Sequence, residues 1–424
     1  MKIRLIRTLT LYFLFQKYVF GSFTDYMNAI DGKTPCNIAS LVGDCSIRAS
    51  VGANANRELT PQEEEKMLAL KESALKEGAA GLSLGLVYEP GLYANINELK
   101  KIAALCERYD KPLAVHPRAS SAVSMAYPQI LGRSHLLRAL DELVEIAKGT
   151  KLKLHYSHAI FVGRKSLKNK DEFLSIIEKL KESGVDVMFD IYNETVGVSV
   201  MTVILPVWYQ GMSQKERKKP LNKLKLALLV KATSILLGFG FNDIQIAYIG
   251  EGYEKYEGKT VQQIAKEEKM SNLKTYLMLC EKSNFKGRVN MGPYTTPEII
   301  HEFERRDDCL YMTDAWIEEK GVQNPSCFNC YPKFLRDSLS GLGDSLEKTI
   351  RKMTGAIADR FALPERGYVK EGYFADLTIF NEEEIKTSTE KEKAFGIKSV
   401  CVNGKLVLND DELKKRLCKQ QVKQ

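Results

Sequence analysis

The sequence predicts an α/β fold of parallel strand–helix units, arranged as a TIM-type (β/α) barrel in preference to an open sheet. Apolar runs of four to eight residues alternate with amphipathic helical segments from residue 24 onward, a pattern typical of βαβ units. Six such units follow one another, and so long a succession favours a barrel. The pattern alone leaves closure of the barrel open.

The strands and helices can be placed in order along the chain. The first strand is predicted at residues 36–43, and the first helix at residues 60–78. This helix has Thr60 as its N-cap, Pro61 at its first position and Gly78 at its end. Later strands are predicted at 80–87, 112–116, 151–158, 185–192, 243–250 and 309–316, and later helices at 96–110, 136–149, 170–184 and 296–306.

The pattern changes after residue 340, so the chain divides into three predicted parts. Residues 345–363 are predicted as a helix, short strands follow, and Asn403-Gly404 indicates a hairpin turn. Residues 1–23 are basic and then apolar but lack a small-residue cleavage site, which indicates a strand or a leader of unclear role. The predicted parts are this leader (1–23), a barrel (24–340) and a C-terminal helix with a small β portion (341–424).

Charge and cysteine content constrain the partners and the compartment. The net charge of +8 is densest at residues 215–231, where a helix with a basic face is predicted. No aromatic residues interleave its lysines, so a solvated outer helix is favoured, and neither a nucleic-acid nor a membrane partner is expected. Nine cysteines without disulfide-like spacing indicate a reducing compartment, hence a cytoplasmic location. One C-x-x-C pair, Cys327 and Cys330, is a weak signal for metal or redox chemistry.

Polar side chains stand at the ends of several predicted strands. His116 and His158 end consecutive strands, and Tyr192 and Asp314 end two later ones. Catalytic groups of barrel enzymes lie at these carboxyl ends. Imidazole nitrogens and a carboxylate suit zinc, and a zinc ion with an open position activates water. The alternatives are hydrogen-bonded structural histidines and, for Asp314, a turn or helix N-cap residue.

The other three histidines are expected to be structural. His135 begins a predicted helix and His301 lies within one, and both are interpreted as surface residues. His155 is expected on the opposite strand face from His158, packed against the helix layer, because side chains alternate along a strand.

A set of short stretches resembles one known family. They are LVGDCSIR (41–48), EGAAGLSLGLVYEPGLYA (77–94), LAVHPR (113–118), YSHA (156–159), DIYNETVG (190–197), ILPVW (204–208), YEGKTVQQIA (256–265), MTDAW (312–316) and residues 352–381, which begin KMTGAIADRF. Over residues 24–408 the chain resembles the N-acyl-D-amino-acid deacylases, or D-aminoacylases, of the amidohydrolase superfamily. The resemblance implies zinc (Zn²⁺) held by His116 and His158, a catalytic Asp314 that also faces the metal, and substrate contacts from Tyr88 and Tyr192.

The sequence also departs from the family pattern. It contains no H-x-H, which in the family ends the first barrel strand, and the resemblance begins at about the third strand. The expected fold is therefore a metal-dependent hydrolase barrel lacking its first strands, plus a small C-terminal β-sandwich portion. The family's H-P-R after the catalytic aspartate is replaced by Asn324-Pro325-Ser326, so this loop lacks the arginine that faces the substrate carboxylate in the family.

The resemblance implies a zinc-dependent amidohydrolase that cleaves the linear amide of N-acyl-D-amino acids. The products are a carboxylate and a D-amino acid, and the partner is a small-molecule substrate. The alternative is a truncated or degenerate amidohydrolase-fold protein without catalytic activity. At most one zinc is expected, and the sequence predicts neither the oligomeric state nor the preferred acyl amino acid.

Overall fold

Helices and strands alternate along the part of the chain that the computed structural model describes, which is residues 20–53, 57–124, 126–127, 132–315, 317–389 and 393–409. The α-helices are α1 (Phe23–Ile30), α2 (Asp44–Ser50), α3 (Pro61–Lys76), α4 (Ile96–Arg108), α5 (His135–Ala147), α6 (Lys170–Glu182), α7 (Val207–Gln210), α8 (Gln214–Arg217), α9 (Pro220–Leu237), α10 (Val261–Glu267), α11 (Asn272–Lys282), α12 (Pro297–Glu304), α13 (Ser326–Leu339), α14 (Leu346–Met353), α15 (Gly355–Arg360) and α16 (Glu382–Thr387). The strands are β1 (Leu41–Gly43), β2 (Gly81–Gly85), β3 (Leu113–His116), β4 (Lys153–Tyr156), β5 (Asp186–Ile191), β6 (Gly197–Val200), β7 (Ile244–Tyr248), β8 (Arg288–Met291), β9 (Cys309–Tyr311), β10 (Leu377–Phe380), β11 (Ile397–Val402) and β12 (Lys405–Asn409).

Six strands form one parallel sheet in the order β1-β2-β3-β4-β5-β9. Every neighbouring pair in this sheet is parallel. An eight-stranded barrel that lacks its first two strands would retain six parallel strands. Within the described residues the edge strands β1 and β9 do not pair with each other. The sheet is therefore compatible with the expected incomplete barrel, and it remains open between these two edges.

One face of this sheet packs against the helices. The rings of Tyr156 and Phe189, from β4 and β5, lie 5.1 and 5.8 Å from the ring of Phe173 on α6. Because side chains alternate along a strand, their neighbours His155 and Asp190 point to the opposite face. The second face therefore carries polar groups toward the carboxyl ends of the strands.

The first predicted helix has the start that its sequence indicates. The Thr60 hydroxyl accepts a hydrogen bond from the amide of Glu63 at 3.3 Å, and the Glu63 carboxylate accepts one from the amide of Thr60 at 2.9 Å. Pro61 occupies the first turn, and Gly78, just beyond the end, has a φ of 100°. This capping box confirms the predicted N-cap.

The predicted strand at residues 36–43 is shorter in the structure. β1 covers only Leu41–Gly43, because it pairs with β2 over three residues, Gly81 to Ser83. The chain then turns directly into α2, whose first residue, Asp44, accepts a hydrogen bond from the buried Lys71 at 2.6 Å. The prediction was wrong for residues 36–40, which have no partner strand in the described structure.

Residues 193–308, between β5 and β9, contain a second sheet with its own core. β6, β8 and β7 are antiparallel neighbours in that order. The sequence predicts β7 but not β6 or β8. Residues from α9, α11, β7 and β8 pack together beneath this sheet; they include Leu226, Val230, Ile246, Tyr276, Leu279, Val289 and Met291.

The C-terminal strands β10, β11 and β12 form an antiparallel sheet. Asn403 and Gly404 have φ values of 50° and 74°, which confirms the predicted hairpin turn. Asn37 joins this sheet to the N-terminal region, since its amide donates to Asp376 at 3.0 Å and accepts from Asn403 at 2.8 Å. The limits of the three predicted parts stay predictions, and most of the leader lies outside the described residues. Among the described helices, none is both long and apolar enough to cross a bilayer.

Candidate metal and active site

The carboxyl end of the parallel sheet brings His116 and His158 into contact. His116 is the last residue of β3, and His158 follows the end of β4 by two residues. Their ring centroids are 4.4 Å apart, with the rings nearly perpendicular at 81°. The two histidines predicted to share a site therefore lie side by side.

The surroundings of His116 keep its ring neutral. Its Nδ1 lies 3.0 Å from the carbonyl oxygen of Pro117, which can only accept, so Nδ1 carries the proton. Its Nε2 then presents a lone pair 3.3 Å from the hydroxyl of Tyr88. Burial, and secondly the neighbouring His158, lowers the pKa of His116 to about 3. A neutral imidazole with a lone pair on one ring nitrogen is the form that binds metal.

His158 is held in a conformation that few residues adopt. Its φ is 38°, in the left-handed region that is unfavourable for a residue with a side chain. Its backbone amide donates to the Asp190 carboxylate, which stabilises this conformation. Its Nδ1 is buried and has no hydrogen-bond partner among the described protein atoms. Since an unpaired buried polar atom is costly, this nitrogen indicates a place for a ligand.

Asp190 is a site residue that the sequence reading missed. One carboxylate oxygen accepts from the amide of His158, and the other lies 2.7 Å from Nε2 of His155. Its carbonyl oxygen also accepts from the amide of Ala159 at 2.8 Å. The available signal was an aspartate within an apolar strand, which requires partners when it is buried.

The structure corrects the expected position of His155. Its side chain lies on the polar face of the sheet, where it meets Asp190 and packs on the ring of Phe361 at 5.4 Å. The prediction that His155 packs against the helix layer was wrong. It assumed that side chains alternate between the two faces of the sheet all the way from His155 to His158. The strand ends at Tyr156, and the positive φ of His158 reorients the following side chain.

Asp314 lies on the same edge, three residues after β9. It has a φ of 46° and an exposed side chain. Desolvation by the surrounding protein raises the pKa of its carboxyl, His158 opposes this effect, and the charge of Asp190 adds to it. The alternative role as an N-cap is excluded, since the next described helix, α13, begins at Ser326 and is preceded by Pro325.

Asn324 has a structural role in the loop that follows Asp314. Its amide nitrogen donates to the carbonyl of Asp314 at 3.1 Å, and its amide oxygen accepts from the backbone of Ser326 at 3.0 Å. The residue that stands in place of the family's histidine thus fixes the loop.

The three predicted ligands do not form a closed metal cage. Across the described residues, no group of three or more His, Cys, Asp or Glu side chains is arranged to hold a metal ion. The neutral ring of His116 and the unpartnered nitrogen of His158 fit zinc as nitrogen donors. Asp314 shares their edge without completing a set of three.

Tyrosines surround this edge of the sheet. Tyr88 stands over His116 with 57% of its surface exposed. Desolvation, followed by the charges of Asp314 and Cys45, raises its pKa to about 12, so its hydroxyl remains a donor. Tyr192 is buried, and its hydroxyl has no hydrogen-bond partner among the described protein atoms.

Tyr294 is the second site residue that the sequence reading missed. A Cβ on Gly197 would lie 2.8 Å from the Tyr294 ring and 3.0 Å from the Tyr192 hydroxyl. Glycine at this position therefore lets the two tyrosines approach each other. Tyr294 lies in a loop, where no strand pattern indicates its position.

The Cys327–Cys330 pair does not have the properties of a metal site. The Cys330 thiol is buried 3.1 Å from the carbonyl of Met312, and it accepts from the amide of Asn193 at 3.2 Å. Burial raises the pKa of this thiol to about 12. A thiol that stays protonated is a poor metal ligand.

Neither of the other two histidines is a surface residue, contrary to expectation. His135 is fully buried, and its Nδ1 accepts from the amide of Ser124 at 2.7 Å. His301 is half-buried, with Nε2 3.6 Å from the Asp337 carboxylate. The prediction failed because the segment before α5 folds over His135, and α13 covers His301.

Comparisons with known proteins give a consistent set of relatives. No protein-family model matches the chain. A D-aminoacylase from Alcaligenes xylosoxydans xylosoxydans is 25% identical over 399 residues, which cover 91% of this chain and 70% of the relative. The N-acyl-D-aspartate deacylase of the same organism is 24% identical over 396 residues, covering 92% and 69%. Its N-acyl-D-glutamate deacylase is 22% identical over 392 residues, covering 91% and 70%.

Solved structures share the fold. An N-acyl-D-glutamate deacylase from Bordetella bronchiseptica, complexed with zinc and a phosphonate inhibitor, superposes with a TM-score of 0.72 at 20% identity, covering 93% of this chain and 73% of that one. A D-aminoacylase described as defining a subset of amidohydrolases gives a TM-score of 0.68 at 24% identity, covering 94% and 74%. The chain is thus similar in sequence to D-aminoacylase and to two N-acyl-D-amino-acid deacylases, and it shares the fold of the solved D-aminoacylase.

Proposed function

We propose that this chain is a zinc-dependent amidohydrolase that cleaves the linear amide of N-acyl-D-amino acids. The observation that carries the proposal is the contact between His116 and His158 at the carboxyl end of the parallel sheet. The relatives named as deacylases, and the solved neighbour that contains zinc, support the same chemistry. The substrate is a small molecule, and the products are a carboxylate and a D-amino acid.

The zinc ligands we propose are His116 and His158, with Asp314 beside them. Both rings can donate a nitrogen lone pair to zinc, and this binding would break no ion pair. His116 is neutral, and Nδ1 of His158 has no protein partner in the described structure. Asp190 holds the backbone of His158 in place and so orients its ring. Zinc, when bound, would polarise the amide carbonyl and acidify a water molecule.

Asp314 is the proton carrier in the proposed mechanism. Its carboxylate takes a proton from the attacking water while the water oxygen bonds to the amide carbon. The same carboxyl then passes the proton to the amine nitrogen as the carbon–nitrogen bond breaks. Its exposed side chain leaves the carboxylate accessible to substrate, and the bond from Asn324 fixes its backbone.

The tyrosine hydroxyls would position the substrate. Tyr88 is exposed above His116, and the hydroxyl of Tyr192 has no protein partner in the described structure. Both remain protonated at neutral pH, because desolvation by the surrounding protein and nearby negative charge raise their pKa values. Each can therefore donate to the substrate carbonyl oxygen as negative charge develops on it.

We also propose a reducing compartment, consistent with the cytoplasm. No cysteine in the described part of the chain forms a disulfide bond. A catalytically silent amidohydrolase fold is the alternative, and the deacylase relatives do not favour it.

The direct test is hydrolysis of N-acetyl-D-methionine. The chain is stripped with a chelator, reloaded with zinc and assayed for release of methionine, with the L-enantiomer as the control substrate. We expect zinc-dependent release from the D-substrate, lowered by about 10² or more in Asp314→Asn. A folded, zinc-loaded chain that releases no amine from a panel of N-acyl-D-amino acids would contradict the proposal.

A further inference from the structure

An exposed apolar stripe runs along helix α9. Leu221, Leu224, Leu228 and Ile235 have 74%, 57%, 61% and 57% of their surfaces exposed. Their spacing of three, four and seven residues places them on one face of the helix. At 1.5 Å per residue the stripe is about 21 Å long. A contiguous exposed apolar stripe marks an interaction surface, whereas single exposed leucines do not.

The opposite side of α9 fixes the helix to the molecule. Leu226 and Val230 are buried in the core beneath the antiparallel sheet. At the C-terminal end, Arg164 donates to the carbonyl of Gly238 at 2.9 Å, and the amide of Lys165 donates to the carbonyl of Leu237 at 3.0 Å. The stripe is therefore held facing outward.

Lysines flank the stripe on both sides. At about 100° per residue, Lys225 and Lys231 project from opposite borders of the stripe, and both are exposed. Neither Lys225 nor Lys231 forms an ion pair with an acidic group in the described structure, and the ammonium of Lys225 lies 4.6 Å from the centre of the Trp208 ring. Glu216 is the only acidic residue between positions 211 and 242. The surface thus combines exposed aliphatic side chains with uncompensated positive charge.

We propose that α9 docks on the surface of an anionic lipid bilayer. The leucine stripe would lie at the boundary between headgroups and acyl chains, with the lysines against the anionic headgroups. This proposal replaces the expectation of a solvated outer helix without a membrane partner, because the basic pattern in the sequence did not show that the leucines face outward.

Other occupants account for less of this surface. A second copy of the chain would bring two sets of flanking lysines together, and like charges in contact disfavour such pairing. Nucleic acid would match the lysines, but it offers nothing to the leucines. An anionic bilayer fits both features of the helix.

Vesicle co-sedimentation of the full chain tests the proposal. Vesicles of phosphatidylcholine containing about one third phosphatidylserine are compared with pure phosphatidylcholine vesicles. We expect preferential binding to the anionic vesicles that weakens with salt. The Leu224→Ser/Leu228→Ser variant should bind about tenfold less, and Lys225→Gln/Lys231→Gln should lose the preference for anionic vesicles. Val369→Ser/Ile379→Ser, which changes exposed apolar residues on another part of the surface, is the matched control.

Because the substituted side chains are exposed, the variants should fold, and thermal unfolding verifies this. Failure of the folded wild-type chain to sediment with anionic vesicles would overturn the proposal. So would equal binding by the leucine double variant. A wild-type dimer that dissociates in that variant, without vesicle binding, would show that a second copy occupies the stripe instead.

Discussion

The hydroxyl of Tyr192 is a buried donor without a protein partner in the described structure. It lies among Gly197, Tyr294 and the strand end that carries the candidate metal site. A group in this state lowers the stability of the fold, because it has lost its hydrogen bonds to water. Buried polar groups that lower stability in this way are typical of residues that contact a ligand.

Replacing Tyr192 with Phe should separate function from stability. We expect kcat/KM for N-acetyl-D-methionine to fall by about tenfold or more. The free energy of unfolding should stay within about 1 kcal/mol of wild type or increase, because the unpaired hydroxyl is removed. Steady-state kinetics and urea denaturation measure the two effects.

Tyr276 provides the matched control for this prediction. It is also fully buried, but its hydroxyl donates to the backbone carbonyl of Met201, and both residues lie in the segment 193–308 between β5 and β9. Tyr276→Phe should cost about 1–3 kcal/mol of stability and leave kcat/KM unchanged in the folded fraction. A Tyr192→Phe variant that loses stability as Tyr276→Phe does, with full activity, would contradict the assignment.

Among individual site residues, the sequence predicted best those polar residues that end an apolar run. His116 and His158 follow that pattern, and the structure places them in contact. Asp190 was missed because it lies within a strand and its role depends on long-range partners. Tyr294 was missed because it lies in the segment 193–308, which approaches the site only through the three-dimensional fold.

Among the helices, α12 and α13 share a buried pair of acidic residues. Glu304 at the end of α12 and Asp337 on α13 both accept hydrogen bonds from the side chain of Asn193, at 3.0 and 2.6 Å. Asn193 directly follows Tyr192. Lys352 donates to the Glu304 carbonyl, and His301 lies 3.6 Å from Asp337. This cluster joins the end of β5 to two helices.

The acidic pair predicts a defined pH dependence of stability. Burial, followed by the charge of Asp337, raises the pKa of Glu304 from its ordinary 4.5 to about 9. Between these values the folded chain holds a proton that the unfolded chain has lost. This contribution therefore leaves stability intact below about pH 4.5 and lowers it as pH rises toward 9, by at most about 1.4 kcal/mol per pH unit.

Glu304→Gln should remove this slope, because glutamine matches the protonated carboxyl in shape and hydrogen bonding. Urea denaturation at pH 6, 7 and 8, roughly the middle of that range, measures the effect. Glu302→Gln, which changes a partly exposed carboxyl on the same helix, should leave the slope as in wild type. An unchanged slope in Glu304→Gln would show that this carboxyl is ionised in the folded chain.

The elements differ in how well the sequence predicts them. Helices with a clear apolar face and end signals were located within a few residues, as the Thr60 capping box of α3 shows. β6 and β8 were missed, since both are four-residue strands whose partners lie tens of residues away. α2 was missed because it begins immediately where β1 ends, without a loop to separate them.

At the scale of the whole molecule, the parallel sheet collects residues from distant parts of the sequence at one edge. His116, His158, Tyr192 and Asp314 come from segments separated by long helical connections, and each follows or ends a strand of this sheet. Barrel topology accounts for that convergence, so the sequence could indicate it. Whether the edge strands β1 and β9 pair with each other could not be predicted, because the local apolar pattern carries no information on how a sheet closes.

The measurement that tests the central claim most directly is the zinc content of the purified chain by elemental analysis. Wild type, His158→Ala and His301→Ala are compared after equal exposure to zinc and removal of loosely bound metal. We predict no more than one zinc per chain in wild type, as few protein ligands are available. His158→Ala should lose it, and His301→Ala should retain it. Equal zinc in all three proteins, or none in the folded wild type, would contradict a metal site at the strand-end histidines.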